Sequence, residues 1–105
     1  MYVTKTNPEK GTYMTDLRGI TLYMFDEDVQ GASNCNDSCS TKWPPYLAVE
    51  PVPSQLPKNI TVITRTDRSK QYAWKGMPLY YSSSDTQVGD LAGDRVGGVW
   101  HIIKP

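Results

Sequence analysis

Two cysteines separated by three residues, in Cys35-Asn36-Asp37-Ser38-Cys39, are the most reactive pair in the chain. They could close a disulfide, give two thiolates to a metal, or cycle as a redox couple. A disulfide would close a very short loop, for which chain entropy assigns about 2 kcal/mol, the low end of the range. A metal needs further ligands, and the single histidine, His101, sits far along the chain. A redox pair of the thioredoxin type has two intervening residues and opens a helix, unlike this one. The disulfide is the expectation taken forward. Metal or redox handling through Cys35 and Cys39 is the alternative.

Just upstream, Asp26-x-Asp28-x-Gln30-Gly31-x-x-Asn34-x-x-Asp37 partly matches a calcium loop, with oxygen donors at positions 1, 3 and 5 and a turn glycine at 6. Position 12 is Asp instead of a bidentate Glu, Cys35 interrupts the run, and the preceding residues read as a strand. A solvated acidic turn is the simpler expectation. Asp26, Asp28 and His101 are retained as the candidate metal ligands. His101 lies between Trp100 and Ile102, where an isolated histidine is usually a hydrogen-bonded core or rim residue. No serine elbow or reactive cysteine accompanies it, and the acids show no catalytic spacing, so a non-catalytic protein is expected. The aromatics Tyr23, Phe25, Trp43, Trp74, Tyr80, Tyr81 and Trp100 could make a sugar-stacking face with Trp43, Trp74 or Tyr80 exposed together. In a small β-protein such residues more often pack as core and cross-strand pairs.

The elements that would carry these residues come twice. Leu17-Arg18-Gly19-Ile20-Thr21-Leu22-Tyr23 is echoed by Trp74-Lys75-Gly76-Met77-Pro78-Leu79-Tyr80, and Asp28 by Asp85, at an offset of 57 residues. A constant offset across glycine, aromatic and acidic positions points to a duplicated supersecondary unit. Strands are expected at 12–17 and 20–25 around Arg18-Gly19, and at 71–74 and 77–81 around Lys75-Gly76. An X-Gly pair between β-rich runs marks a tight hairpin. Pro78 cannot donate to a ladder, which places its strand at an edge. Further strands are expected at 60–66 and 98–103. Ser33 or Asn34 could cap a short helix over 35–42, ended by Pro44-Pro45. Residues 46–58, with Pro51, Pro53 and Pro57, read as an extended connector, and 82–98 as a long ordered loop. The fold class is mostly β, a small barrel or sandwich built from two related hairpin units with one short helix. One domain, 1–105, would contain internal units at about 11–45 and 60–105.

The 105 residues can bury roughly two-thirds of their unfolded surface. Eleven basic residues balance eleven acidic ones without long runs of either sign, which leaves no basic stripe for nucleic acid. No apolar run approaches the ~18 residues of a membrane span. The start, Met1-Tyr2-Val3-Thr4, has no basic-then-apolar leader, so a mature domain with its leader removed is one expectation and a cytoplasmic protein the other.

Taken together, Tyr23-Met24-Phe25-Asp26-Glu27-Asp28 and the segment from Gly31-Ala32-Ser33-Asn34-Cys35 through Trp43-Pro44-Pro45 resemble a bacterial family of secreted repeats, or predicted lipoproteins, with a Tyr-x-(Phe/Trp/Tyr)-x-x-Asp motif. Gly76 to Tyr81, Asp85, Gly89-Asp90 and Val96 to Trp100 resemble its second half. The motif positions are Tyr23, Phe25, Asp28, Trp43, Tyr80, Asp85 and Trp100. Ser82 departs from the pattern, because the second copy would carry an aromatic there. The resemblance implies an envelope-located or exported protein, with Cys35 and Cys39 in an oxidising compartment; joined to the reading of the residues, the expectation is a non-catalytic extracytoplasmic module of the cell envelope, binding or structural. It implies no cofactor and no assigned activity. A monomer is expected, its partner is not legible, and a lipid anchor would belong to a longer precursor.

Overall fold

A computed structural model of the chain describes residues 2–49, 52 and 54–105. Among the described residues seven short strands run in the order β1 (Val3–Asn7), β2 (Gly11–Thr15), β3 (Tyr23–Phe25), β4 (Ile60–Thr64), β5 (Lys70–Trp74), β6 (Met77–Pro78) and β7 (Trp100–Ile102). The helix α1 (Ser38–Lys42) lies between β3 and β4, and a 3-10 turn covers Val96–Gly98. The protein is mostly β, as its alternating and β-branched runs require. Its sheets are small: β1 with β2, β3 with β7, and β4-β5-β6, joined by isolated bridges. No closed barrel forms from them.

Each copy begins as a hairpin in which the second strand is the more buried: β2 over residues 13–15 and β5 over residues 71–73, whereas β1 is largely exposed. β1 pairs with β2 in the register Lys5↔Tyr13, and β4 with β5 in the register Ile63↔Gln71. Both pairings fit an offset of 58 residues, one more than the offset downstream. The turn accounts for the difference. Lys75 and Gly76 both adopt positive φ, the two-residue turn that follows strand twist, and β6 returns directly along β5. In the first copy Asp16 N–H donates to the Ile20 carbonyl and Gly19 N–H to the Asp16 carbonyl, so three residues make the turn, with Gly19 in the left-handed region. The buried Asp16 carboxylate fixes that turn by accepting from Arg18 N–H and Ile20 N–H. Pro78 lies on the edge strand, where its missing donor costs nothing.

The last strand of each copy pairs with the other copy. β7 lies antiparallel to β3, with Tyr23↔Ile102 and Phe25↔Trp100 in register. Its counterpart, the run Trp43 to Pro45, faces Tyr80 to Ser82: Pro45 bridges Tyr80, and Tyr81 N–H donates to the Pro44 carbonyl. Pro44 and Pro45 have no N–H to give, so this second pairing stays an isolated bridge. At the centre, Tyr23 and Tyr80 exchange both backbone hydrogen bonds at 2.8 and 2.9 Å. They are equivalent residues of the two copies, so a pseudo-two-fold axis passes between them.

Several elements differ from the sequence expectation. β1 went unread because its side chains are mostly polar and exposed. The helix starts at Ser38 rather than 35. Neither Ser33 nor Asn34 caps it, because the Ser33 hydroxyl is held at Tyr80 and the Asn34 side-chain amide donates to the Glu27 carbonyl. The connector starts as added sheet: Leu47 bridges Gln71, and Ala48 N–H donates to the Lys70 carbonyl. Pro51 and Pro53 lie outside the described residues. The loop 82–98 holds the 3-10 turn, which is the counterpart of α1: Cys39 N–H donates to Asn36 as Val96 N–H donates to Gly93.

Gly93 of the second copy packs directly against rings of the first. A Cβ there would sit 2.7 Å from the Trp43 ring and 2.9 Å from the Tyr23 ring. Gly93→Ala should therefore lower stability by about 1–3 kcal/mol, the usual cost of overpacking. Urea denaturation checks this, and an unchanged midpoint would show that the rings can move apart.

Candidate functional site

Aromatic side chains of the motif meet at the pseudo-two-fold axis. Tyr23 lies edge-on to Trp43 with centroids 5.7 Å apart, and Tyr80 edge-on to Trp100 at 5.2 Å. Trp43 and Trp100 are themselves equivalent, and they stack on each other at 3.8 Å with planes 5° apart. Phe25 stacks on Trp100 at 4.3 Å. Tyr23 and Tyr80 are fully buried, and Trp43 and Trp100 nearly so. These rings form one of two buried apolar clusters, the other built around Met14, Leu22, Leu79 and Ile103, and each ring contact adds about 0.5–1.5 kcal/mol beyond area.

The two phenols bring hydroxyls into that interior, and each finds its acceptor in the other copy. Tyr23 donates to Asp85 at 2.6 Å, and Tyr80 donates to Asp28 at 2.7 Å. Each hydroxyl also accepts from the opposite copy: Tyr23 from Gly93 N–H, and Tyr80 from the Ser33 hydroxyl, since its own proton faces Asp28. The second oxygen of Asp28 accepts from Asn34 N–H, and that of Asp85 from Ala92 N–H. Among the described residues no buried side-chain nitrogen or oxygen is left without a partner. Burial raises both tyrosines well above their ordinary value, with the facing carboxylates adding to it.

Further polar contacts cross between copies. Buried Arg65, at the end of the β4 hairpin, donates to Gln71, to Ser33, to the Cys35 carbonyl and to Asn36. Lys10, in the β1–β2 turn, pairs with Asp94 at 2.8 Å. Cys35 and Cys39 are joined as a disulfide with Cα atoms 5.2 Å apart, and Cys35 is fully buried. Ala92 and Val96 take their places in the second copy. Arg65, Ser33 and Gln71 were missed in the sequence because they have no counterpart of like chemistry at either offset. A charged residue in phase with Ile63 on β4 was the available sign.

The candidate metal ligands are not brought together. His101 Nε2 lies 2.7 Å from the Asp26 carboxylate at the β3–β7 edge, whereas Asp28 turns inward to Tyr80. Among the described residues no group of three or more His, Cys, Asp or Glu is placed to hold a metal. The calcium-loop reading fails on the same geometry, because Asp28 is already committed to Tyr80 and Asn34. The three aromatics considered for a glycan face are not exposed together: Tyr80 is fully buried, Trp43 keeps only 8 % of its surface, and Trp74, with the Lys75 ammonium 4.5 Å over its ring, packs against a different cluster.

A model of secreted repeats of unknown function matches the chain twice, over residues 4–46 and 61–104. The chain belongs to that family. The two matches coincide with the two structural copies, β1 opening the first and β4 the second. No curated relative and no solved structure matches the chain. The family's description places this secreted repeat outside the cytoplasm. Among the described residues no helix is long and apolar enough to cross a membrane.

Two outcomes follow for the secreted repeat. A double-mutant cycle between Tyr23→Phe and Asp85→Asn should give a coupling of about 1.5 kcal/mol or more, as for a bond to a charged group. The same cycle between Tyr23→Phe and Asp28→Asn, which share a copy but no bond, should stay below about 0.5 kcal/mol. Stability should also depend on pH in two opposite ways. Burial raises Asp28 and Asp85 above the ordinary 3.8, more than their donors lower them. The folded state holds those protons more tightly, so this contribution is present in acid and lost as pH rises through the raised values. For Asp16 and Asp94 burial is outweighed by donors, Tyr81 foremost for Asp16 and Lys10 for Asp94, which leaves both below 3.8. Their contribution is present above 3.8 and lost as pH falls through the lowered values. The melting temperature should rise as pH drops from neutral towards 4, then fall in stronger acid, and the Asp28→Asn, Asp85→Asn protein should lack the rise.

Proposed function

We propose that this protein is a non-catalytic module of the cell envelope that acts by binding through its surface. The observation that carries this is the crossed arrangement of the motif. Both phenols and both carboxylates, the groups best suited to acid–base work, are held by fixed partners inside the core. A catalytic acid or base must reach a proton on its substrate, and these four face each other instead. Their part is architectural, which leaves recognition to exposed residues. The alternative, metal or redox handling, gains no support: the two sulfurs are joined to each other and His101 is engaged with Asp26.

Thiol alkylation and intact mass on protein recovered from its native compartment test the reading. Cys35 and Cys39 should be protected until reductant is added, and immediate alkylation of both would overturn the extracytoplasmic assignment. In the same cells, Tyr23→Phe and Tyr80→Phe proteins should retain whatever phenotype the parent supports at temperatures where they stay folded. Loss of that phenotype in a folded variant would sink the non-catalytic reading.

A further inference from the structure

The aromatic stack is one layer short. Phe25 lies on Trp100 with planes 12° apart, and Trp100 lies on Trp43. By the pseudo-two-fold, a ring on the outer face of Trp43 would complete the series, and the residue at that place is Ser82. Its placement is set by the same hydrogen bonds that set Phe25. Ser83 N–H donates to the Lys42 carbonyl as Asp26 N–H donates to Val99, and Asp85 N–H donates to Ser82 as Asp28 N–H donates to Phe25. A hydroxymethyl group cannot fill the volume of a phenyl ring. An open pocket of about 330 Å³ occupies the site, lined by Trp43, Ser82, Ser83, Ser84, Lys42 and Val96.

The geometry points to this pocket as a binding site for a small planar aromatic acid. Its ring would take the place that Phe25 holds in the other copy. The floor is an indole, which favours a flat π-partner. Exposed Val96 supplies a second apolar wall. The rim sets the polar end of the ligand: Ser83 and Ser84 are exposed hydroxyl carriers, and Lys42 lines the same pocket. Among the described residues no carboxylate lies within ion-pairing distance of Lys42, so its charge is available to an anion. The disulfide closes the segment that leads into α1, and Lys42 and Trp43 follow directly from it, which keeps the pocket preformed. This site rests on the binding reading above and gives it a place and a ligand class.

Phenylacetate is the probe, titrated into the full chain and followed by NMR at the Trp43 indole N–H and the amides of Ser82, Ser83 and Ser84. Saturable shifts confined to those signals are expected, with weaker response to cyclohexylacetate, which has the charge without the planar ring. Lys42→Gln should weaken binding about fivefold, the weight of one exposed ion pair. Ser82→Phe should supply the ring from within, abolish binding and raise the melting temperature by about 5 °C. No saturable shift with phenylacetate, a stronger response to methyl glucoside, or a Ser82→Phe protein that melts below the parent each overturns the proposal. If the pocket fails while the cysteines stay protected and the Tyr→Phe proteins keep their phenotype, the module reading stands without it.

Discussion

A tyrosine hydroxyl carried into an apolar interior has to find a partner there, and in this protein both partners lie across the molecule. The bonds from Tyr23 to Asp85 and from Tyr80 to Asp28 are short, buried and reciprocal. Neither copy can satisfy its own phenol, so the interior forms only when the two copies are aligned. The backbone exchange between Tyr23 and Tyr80 fixes that alignment, and a slip of one residue would point both rings to the wrong face. The tryptophan stack, the paired strands β3 and β7, and the burial of Cys35 all depend on it.

The rest of the polar interior reinforces the same crossing by unrelated chemistry. Arg65 reaches from the second hairpin to the disulfide segment of the first copy, while Lys10 reaches from the first hairpin to Asp94 of the second. One link is a guanidinium fanning hydrogen bonds onto neutral acceptors and the other an ion pair, yet they join corresponding places. The copies have diverged in side-chain chemistry while keeping the points of attachment. The same is true of the segment before each tryptophan, tied by a disulfide in one copy and by a 3-10 turn in the other.

Much of this was written in the sequence as equivalence and little of it as contact. The offset of 57 named the matched pairs Tyr23 and Tyr80, Asp28 and Asp85, and the spacing of Lys75-Gly76 gave the turn. An offset says which residues correspond, but it cannot say whether a tyrosine bonds the aspartate of its own copy or of the other. That depends on where the last strand goes. The one-residue difference between the hairpin turns hid β1, because its counterpart falls at 58 instead of 57 and its side chains have no apolar alternation. Asp28 looked like a ligand because Asp26, Asp28 and Gln30 fall at the alternate positions of a calcium loop, and only the fold shows Asp28 turned inward while its neighbours stay exposed. Ser82 was legible as a departure from the pattern. What the departure leaves beside Trp43 became visible once Phe25 was seen on Trp100.

Because each copy lends its final strand to its neighbour, the folding unit is a pair. A lone copy would carry an unanswered phenol, an unanswered carboxylate and an uncovered tryptophan face, and it could close only against another lone copy. Parity is therefore built into the repeat. In a longer array, copies would have to be counted in twos, and an odd one would remain open to whatever chain could complete it.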